Sequence, residues 1–327
     1  MFAYIVRRLF AAIPILIIAS FFAYVLVALS GNPLEPLLLR NPPAPARTIQ
    51  LERERLGLDE NIFARYWDWL WGVLHGDFGN SVQSTYDIGH NLIRSSMVTL
   101  RLVVVAMVLA LVFAVIAGVV SAVRQYSKFD YTVTFTGFIF LAMPSFWVAI
   151  VLKDLAVRYN LATGTTAFYT IGEASPDTSA FTTWEKIPDV AGHLVLPTIA
   201  LALISYAAWS RYQRASMLDV LNSDYVRLAR AKGLRWRKVL TRHALRTALI
   251  PLTTVTALDI AAILGGAVIT ETVFNWNGLG RMLLVGVNRS DTDAVASWLL
   301  LAGIVVIVFN IVADVLYAVL DPRIRYE

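Results

Sequence analysis

The sequence contains no cysteine. That excludes a disulfide framework, a thiolate nucleophile and any zinc site built on cysteine. Charge is also scarce, at 16% of residues, against roughly 25% in an average soluble domain. The four histidines, His75, His90, His193 and His243, lie far apart and lack metal-ligand spacing, so no metal site is expected. There is no G-x-S-x-G elbow and no H-E-x-x-H pair. A phosphate-cradling G-x-x-x-x-G-K-[ST] loop is missing too, because none of Lys128, Lys153, Lys186, Lys232 and Lys238 follows a glycine. No catalytic residue is expected, and any work driven by ATP would need an ATPase on another subunit. No 20–50-residue repeat or low-complexity tract interrupts the chain.

Apolar residues are what the sequence has in excess: 57% of 327 residues are hydrophobic and the mean hydropathy is +0.63. These values place the chain among membrane proteins. The net charge of +5 does not point to nucleic acid, because the cations collect in short loops between apolar runs, the pattern of membrane topology. About 20 apolar residues span a bilayer, and six stretches are expected to do so. Leu9 to Leu34 is uncharged and longer than the core of a signal peptide, so it reads as a first helix retained in the membrane. The others are Leu102–Val123, Tyr131–Leu152 with Pro144 inside it, Val190–Ser210 with Pro197, Thr247–Thr270 and Ala294–Leu320. Proline within a span removes a backbone donor and predicts a bent helix.

Between the first two spans lies a long polar stretch. It opens on Pro33, Pro36, Pro42, Pro43 and Pro45, so it begins extended. A short helix is predicted over Thr48–Leu56 with Gly57 as its stop. A second is predicted over Ile62–Leu74, where Phe63, Tyr66, Trp67, Leu70, Trp71 and Leu74 fall at helical spacing. Its aromatic side suits either the headgroup level of a membrane or a small core of the loop itself. Gly76-Asp-Phe-Gly79 reads as a turn, and Ile88–Leu100 as a helix leading back into the membrane. Lys153–Asp189 and Glu271–Asp293 read as polar loops.

One segment, Arg211 to Pro251, is both strongly basic and amphipathic. Arg211, Arg214, Arg227, Arg230, Lys232, Arg235, Arg237, Lys238, Arg242 and Arg246 face only Asp219 and Asp224. Asn222 or Ser223 can cap a helix that Gly233 ends in a left-handed turn, and a second helix then runs from about Arg235 into the next span. The reading is a short helix, a glycine break and another helix on a membrane surface. With six spans both termini share one side. Arg7, Arg8, Arg124, Lys128, the ten cations just named, Arg323 and Arg325 lie there against five acids, so the positive-inside rule puts the termini and the basic segment in the cytoplasm. The opposite side carries the 35–94 and 153–189 loops.

Three acids sit in or near apolar runs: Asp259, Glu271 and Asp314. A carboxylate in hydrocarbon is costly, so a functional role is the first hypothesis for each. Asp314 and Glu271 lie near span ends where water can reach them. Asp259 is mid-span, and lining a polar cavity or serving as a structural hydrogen-bond partner fit it equally.

The basic segment carries a resemblance. Asp224-Tyr-Val-Arg-Leu-Ala-Arg-Ala-Lys-Gly233-Leu, continued by Arg242-His-Ala-Leu-Arg-Thr-Ala-Leu-Ile-Pro251, resembles the signature loop of binding-protein-dependent ABC importer permeases, and more narrowly their dipeptide/oligopeptide/nickel group. The family pattern is E-A-A-x-x-x-G-x9-I-x-L-P. Ala229 and Gly233 keep their places, Arg227 stands at the Glu position and Leu228 at the first Ala. His243 falls near the Ile, Leu245 matches the Leu, and Arg246 replaces the Pro. The peptide group shows such departures itself. Further resemblances lie in Tyr4–Leu9, in Leu56-Gly-Leu-Asp59 with Gly76–Gly79, in Pro144-Ser-Phe-Trp147, in Glu271–Gly280 and in Leu320–Arg325. The long 35–94 stretch is similar to the B-type subunit, the first of two paired permeases.

The resemblance implies an all-α integral membrane protein with six transmembrane helices, the type I ABC importer (MetI-like) permease fold. It divides the chain into a first helix (1–34), an external region with short helices (35–97) and a permease core (98–327) with a cytoplasmic coupling loop at 211–246. It implies coupling to an ATPase through Ser223, Asp224, Tyr225, Val226, Arg227, Ala229, Arg230, Ala231, Lys232, Gly233 and Leu234. Met143, Pro144, Phe146, Trp147 and Asp259 are the candidates for a translocation path or gate. Implied partners are a homologous second permease, two ATP-binding domains carrying ATP and Mg2+, an external substrate-binding protein and membrane lipid, in a bacterial inner membrane. The chain itself would hold no cofactor. Peptides are the implied solute, with nickel chelates, glutathione or another small solute as the alternative. An ion-coupled carrier working through Asp259 is the rival from another class, and a non-transporting scaffold would leave the glycine-broken loop without a role.

Overall fold

A computed structural model describes residues 2–82, 86–176 and 182–320. The cations Arg323 and Arg325 and the Leu320–Arg325 motif beyond its first residue therefore lie outside the described residues. Among those described there are helices and no strand. Five helices are long and apolar enough to cross a membrane: Val6–Leu38, Ile88–Val123, Trp184–Leu221, Trp236–Phe274 and Thr292–Val315. A sixth crossing is made only if a bent pair, Lys128–Ala142 and Ser145–Thr163, counts as one.

That pair corrects the expectation of a bent but continuous third span. The two helices meet at 105°. Met143 is extended (φ −86°, ψ 131°), as is Pro144 (φ −61°, ψ 141°). The ring of a proline disfavours helical backbone at the residue before it; here the helix ends at Ala142 and restarts at Ser145, whereas the helix Thr183–Leu221 runs on through Pro188 and Pro197. The expected loop from Lys153 onward is helical as far as Thr163.

Two compact units share the chain. One comprises residues 2–99 and 277–307. It contains α1 (Phe2–Ser30), the short α2 (Glu35–Leu38) and α3 (Ala46–Arg55), α4 (Ile62–Leu74), the start of α5 (Ile88–Val123), and, later in the chain, α12 (Leu279–Asn288) and the start of α13 (Thr292–Leu320). Tyr66, Trp69 and Leu70 of α4 are buried against Tyr24 and Ala296. Tyr66 Oη donates to the Ile17 carbonyl at 2.9 Å. The segment after the Gly76–Gly79 turn is strapped to the start of α13: Asn80 N–H donates to Asp293 (3.0 Å), and Ser81 Oγ and Val82 N–H donate to Asp291 (2.6 and 3.1 Å). Burial raises the Asp291 carboxyl above the ordinary range, and these donors oppose that rise. The Glu271–Asp293 region, expected as a polar turn, contains the helix α12.

The other unit comprises residues 100–276 together with 308 onward. It holds the rest of α5, α6 (Lys128–Ala142), α7 (Ser145–Thr163), α8 (Thr183–Leu221), α9 (Asp224–Ala231), α10 (Trp236–Lys238) and α11 (Leu245–Phe274). A π-helical turn, Val239–Ala244, joins α10 to α11. Helix α8 is the axis of this unit and packs on α6, α7 and α11. At Gly118 of α5 a side chain would stand 2.7 Å from the Ser210 carbonyl of α8, so only glycine permits this approach of two helices.

Candidate functional site

The basic segment is where sequence and structure meet most closely, with one correction. Arg211–Leu221, expected as part of a surface element, continues α8 without a break. The helix period carries on because nothing between Ser210 and Leu221 is a breaker. Ser223 is extended (φ −72°, ψ 152°) and starts α9, while its hydroxyl turns back to the Val220 carbonyl at 2.6 Å. Gly233 lies at φ +75°, where a side chain would be strained, and lets the chain reverse into Trp236.

Helix α9 has two faces. Val226 and Ala229 are buried with Met217 of α8, Ala122 of α5, and Val239, Ala244 and Ala248 from the π turn and α11. Leu234 packs against the same cluster. Ser223 is half-buried, while Asp224, Tyr225, Arg227, Leu228, Arg230, Ala231 and Lys232 are exposed. The expected coupling residues thus divide: Val226, Ala229 and Leu234 fasten the helix to the body, and the rest present a surface. That surface combines Tyr225 and Leu228 with Arg227, Arg230 and Lys232. Arg227 also donates to the Asn222 carbonyl at 2.9 Å, and Arg230 stands 5.0 Å over the Trp236 ring.

The first cations of the segment, exposed Arg211 and half-buried Arg214, meet partners on other elements instead. Arg214 forms a two-pronged pair with Asp130 (2.6 and 2.7 Å), which also accepts from Ser121 Oγ at 2.6 Å and Tyr126 N–H at 2.9 Å. Asp130 is buried. Arg211 lies 4.3 Å over the Phe138 ring. These contacts tie α8, just ahead of α9, to the α5–α6 turn and to α6. Asp130 is one of the five acids counted on the side of the termini. The one signal was an acid isolated between Lys128 and an apolar run, which does not name its partner.

Four of the path candidates gather at one break and the fifth lies on α11. Met143 and Pro144 are the break between α6 and α7, and Phe146 and Trp147 are exposed on the first turn of α7. Asp259 accepts a hydrogen bond from Trp209 Nε1 at 2.7 Å, and Trp209 is fully buried. That contact fits the structural reading of Asp259, which is itself half-buried. Glu271, placed by the sequence where water could reach it, is fully buried, and Asp314 is half-buried. An apolar cleft of about 410 Å³ lies among α5, α6 and α8, lined by Leu109, Phe113, Ile116, Phe129, Ile199 and Tyr206 among others. None of the expected path residues lines it.

Comparison with known proteins places this arrangement. Residues 110–326 match the family described as binding-protein-dependent transport system inner membrane component, and residues 1–98 match its N-terminal membrane-component family. The chain is 41% identical to the oligopeptide transport system permease protein OppB of Mycobacterium tuberculosis over 98% of both chains. It is 37% identical to the oligopeptide permease AppB of Bacillus subtilis and 35% identical to the dipeptide permease DppB of Escherichia coli K12, each over the full length of both. A solved structure of the MetNI methionine ABC transporter in inward-facing form has a similar fold, with a TM-score of 0.54 and 17% identity over 70% of this chain and 96% of that one. The chain is a multi-pass permease belonging to the binding-protein-dependent transport system inner membrane component family.

Proposed function

We propose that this chain is the B-type permease of an ATP-driven importer of oligopeptides or dipeptides, and that α9 is the lever by which ATPase subunits move it. The observation that carries the reading is the division of α9 into a buried face and an exposed one. Val226 and Ala229 make α9 part of the α8–α11 body, so a force on its outer face is delivered to the spans rather than absorbed in a loop. Tyr225 and Leu228 offer apolar contact, and Arg227 and Lys232 offer charge, to a groove on an ATP-binding subunit. Gly233 returns the chain to the membrane. The ATP and its Mg2+ belong to those partners, closure of which would switch a pair of homologous permeases between inward- and outward-facing forms as rigid bodies. An external binding protein would deliver the solute. The termini and α9 lie in the cytoplasm on the charge asymmetry, and the membrane is the bacterial inner membrane. Peptide cargo follows from relatives named for oligopeptide and dipeptide transport.

Leu228→Asp and Tyr225→Ala, alone and together, test the lever. The expected outcome is a permease that is made and folded normally but no longer co-purifies with its ATP-binding subunits or drives uptake. Full uptake by the double variant would defeat the proposal. Competition among labelled peptides, nickel chelates and glutathione in membrane vesicles decides the cargo; peptide uptake insensitive to the other two supports the reading given.

A further inference from the structure

Helix α4 has three sides. Tyr66, Trp69 and Leu70 pack into the small core with α1. Arg65 and Asp68 line a polar cavity together with Tyr24, Glu54 and Asp293. The third side is a stripe of Phe63, Trp67, Trp71 and Leu74, whose exposure runs between 60% and 72%. Four large apolar side chains on one helix face, two of them tryptophan, form the kind of patch that marks an interaction surface.

The packing of α4 on α1 says what covers it. Tyr66 donates to the Ile17 carbonyl and shares a hydrogen bond with Ser20 Oγ (both 2.9 Å), and Phe63 stacks on Phe21 at 5.7 Å. Helix α1 leaves its last cations at Arg7 and Arg8 and then runs uncharged. A hydrocarbon core of about 30 Å takes up about 20 residues, which from Leu9 reaches Ala28. At 1.5 Å per residue, Ser20 then lies roughly 12 Å and Ile17 roughly 16 Å inside that far boundary. The start of α4 is therefore level with hydrocarbon, not with bulk water. The exposed face of α1 next to it, Ile18, Phe22, Leu26 and Leu29, is itself an unbroken apolar row, and the ring pair Phe21–Phe63 joins the two faces.

We propose that α4 lies in the bilayer leaflet far from Arg7 and Arg8, with Phe63, Trp67, Trp71 and Leu74 in contact with phospholipid. Trp67, whose ring lies 5.8 Å from that of Tyr66, then meets acyl chains, Trp71 and Leu74 continue the same face along the leaflet, and Arg65 and Asp68 face the polar cavity. Helix α4 is then a fixed float that holds the 77–82 strap, and through it Asp291 and Asp293, at a set height above the membrane.

The chain has no cysteine of its own, so with partner subunits freed of reactive cysteine each nitroxide label is single. Trp67→Cys, Trp71→Cys and, as the polar side, Asp68→Cys would be placed in the complete transporter in phosphatidylethanolamine–phosphatidylglycerol liposomes. Power saturation should show the labels at 67 and 71 more accessible to oxygen than to a water-soluble nickel chelate, and the label at 68 the reverse. Preference for the nickel chelate at 67 and 71 would place α4 in water, and exclusion of both reagents would place a protein partner over it; either overturns the proposal. The unaltered protein offers a second reading. A phosphatidylcholine with a photoreactive acyl chain should label the peptide containing Phe63–Leu74 as well as the Phe22–Leu29 face of α1. Labelling of α1 alone would sink the idea. Neither readout depends on α9 or on the cargo, so it stands or falls apart from the function proposed above.

Discussion

Asp259 shows how one neighbour changes the meaning of a residue. An acid in mid-span suggests a functional role, and here its oxygen also satisfies the indole of a fully buried Trp209. Asp259→Asn keeps an acceptor and is expected to preserve uptake. Asp259→Leu orphans the indole N–H, which costs about 1–3 kcal/mol, and should lower the thermal midpoint in detergent. Loss of uptake in a normally stable Asp259→Asn protein would restore the ion-coupled reading. Asp130 makes the complementary case, since its carboxylate is buried and depends on Arg214. Removing one member of a buried pair costs about 3–5 kcal/mol. Arg214 is partly exposed, so Arg214→Ala should fall toward the lower end, with Arg214→Lys between it and the native protein. Equal midpoints for all three would show that the pair carries no stability. Beside them, Gln213 is fully buried and neither of its amide atoms has a partner among the described residues. Gln213→Met should therefore raise the midpoint.

At the scale of an element, α9 and the α5–α8 crossing make opposite demands. On α9 the outer face is expected to tolerate change without unfolding, whereas Ala229→Glu forces a charge into the cluster of Met217, Val226 and Val239. That variant should lose protein as well as coupling, while Leu228→Asp loses coupling alone. Comparing yield in the membrane with ATPase association separates them. At Gly118, a valine would press on the Ser210 carbonyl and the Arg214 amide (2.7 and 2.9 Å from the first added carbon). Gly118→Val should thus push α8 away from α5 and lower the thermal midpoint more than the same change at Gly265, where nothing lies within 4 Å. Similar midpoints for the two would mean that the close approach is not needed.

For the molecule as a whole, the charge asymmetry predicts a sidedness that the missing cysteines make easy to test. A cysteine at Arg227 should react with an impermeant maleimide only in inside-out vesicles, and one at Arg47 only in intact cells with a permeable outer barrier. The reverse pattern would invert the topology and remove α9 from reach of ATP. Much of this architecture was legible beforehand because its signals are local. Uncharged runs of spanning length, the glycine at 233 and the serine at 223 act on their own neighbours in the chain. What stayed hidden depends on residues far apart in sequence. Asp130 meets Arg214, Trp209 meets Asp259, and Val226 meets Val239, only once α8 has packed on its neighbours. Even the break at Pro144 was readable as a position but not as an angle. Proline disfavours helical backbone at Met143, and the packing of α6 and α7 on α8, with α7 also on α11, accompanies the 105° between them. By itself the sequence determined where the chain must be apolar and where it must turn; only the tertiary structure decided which faces are buried, because burial is a relation between segments and hydropathy is a property of one.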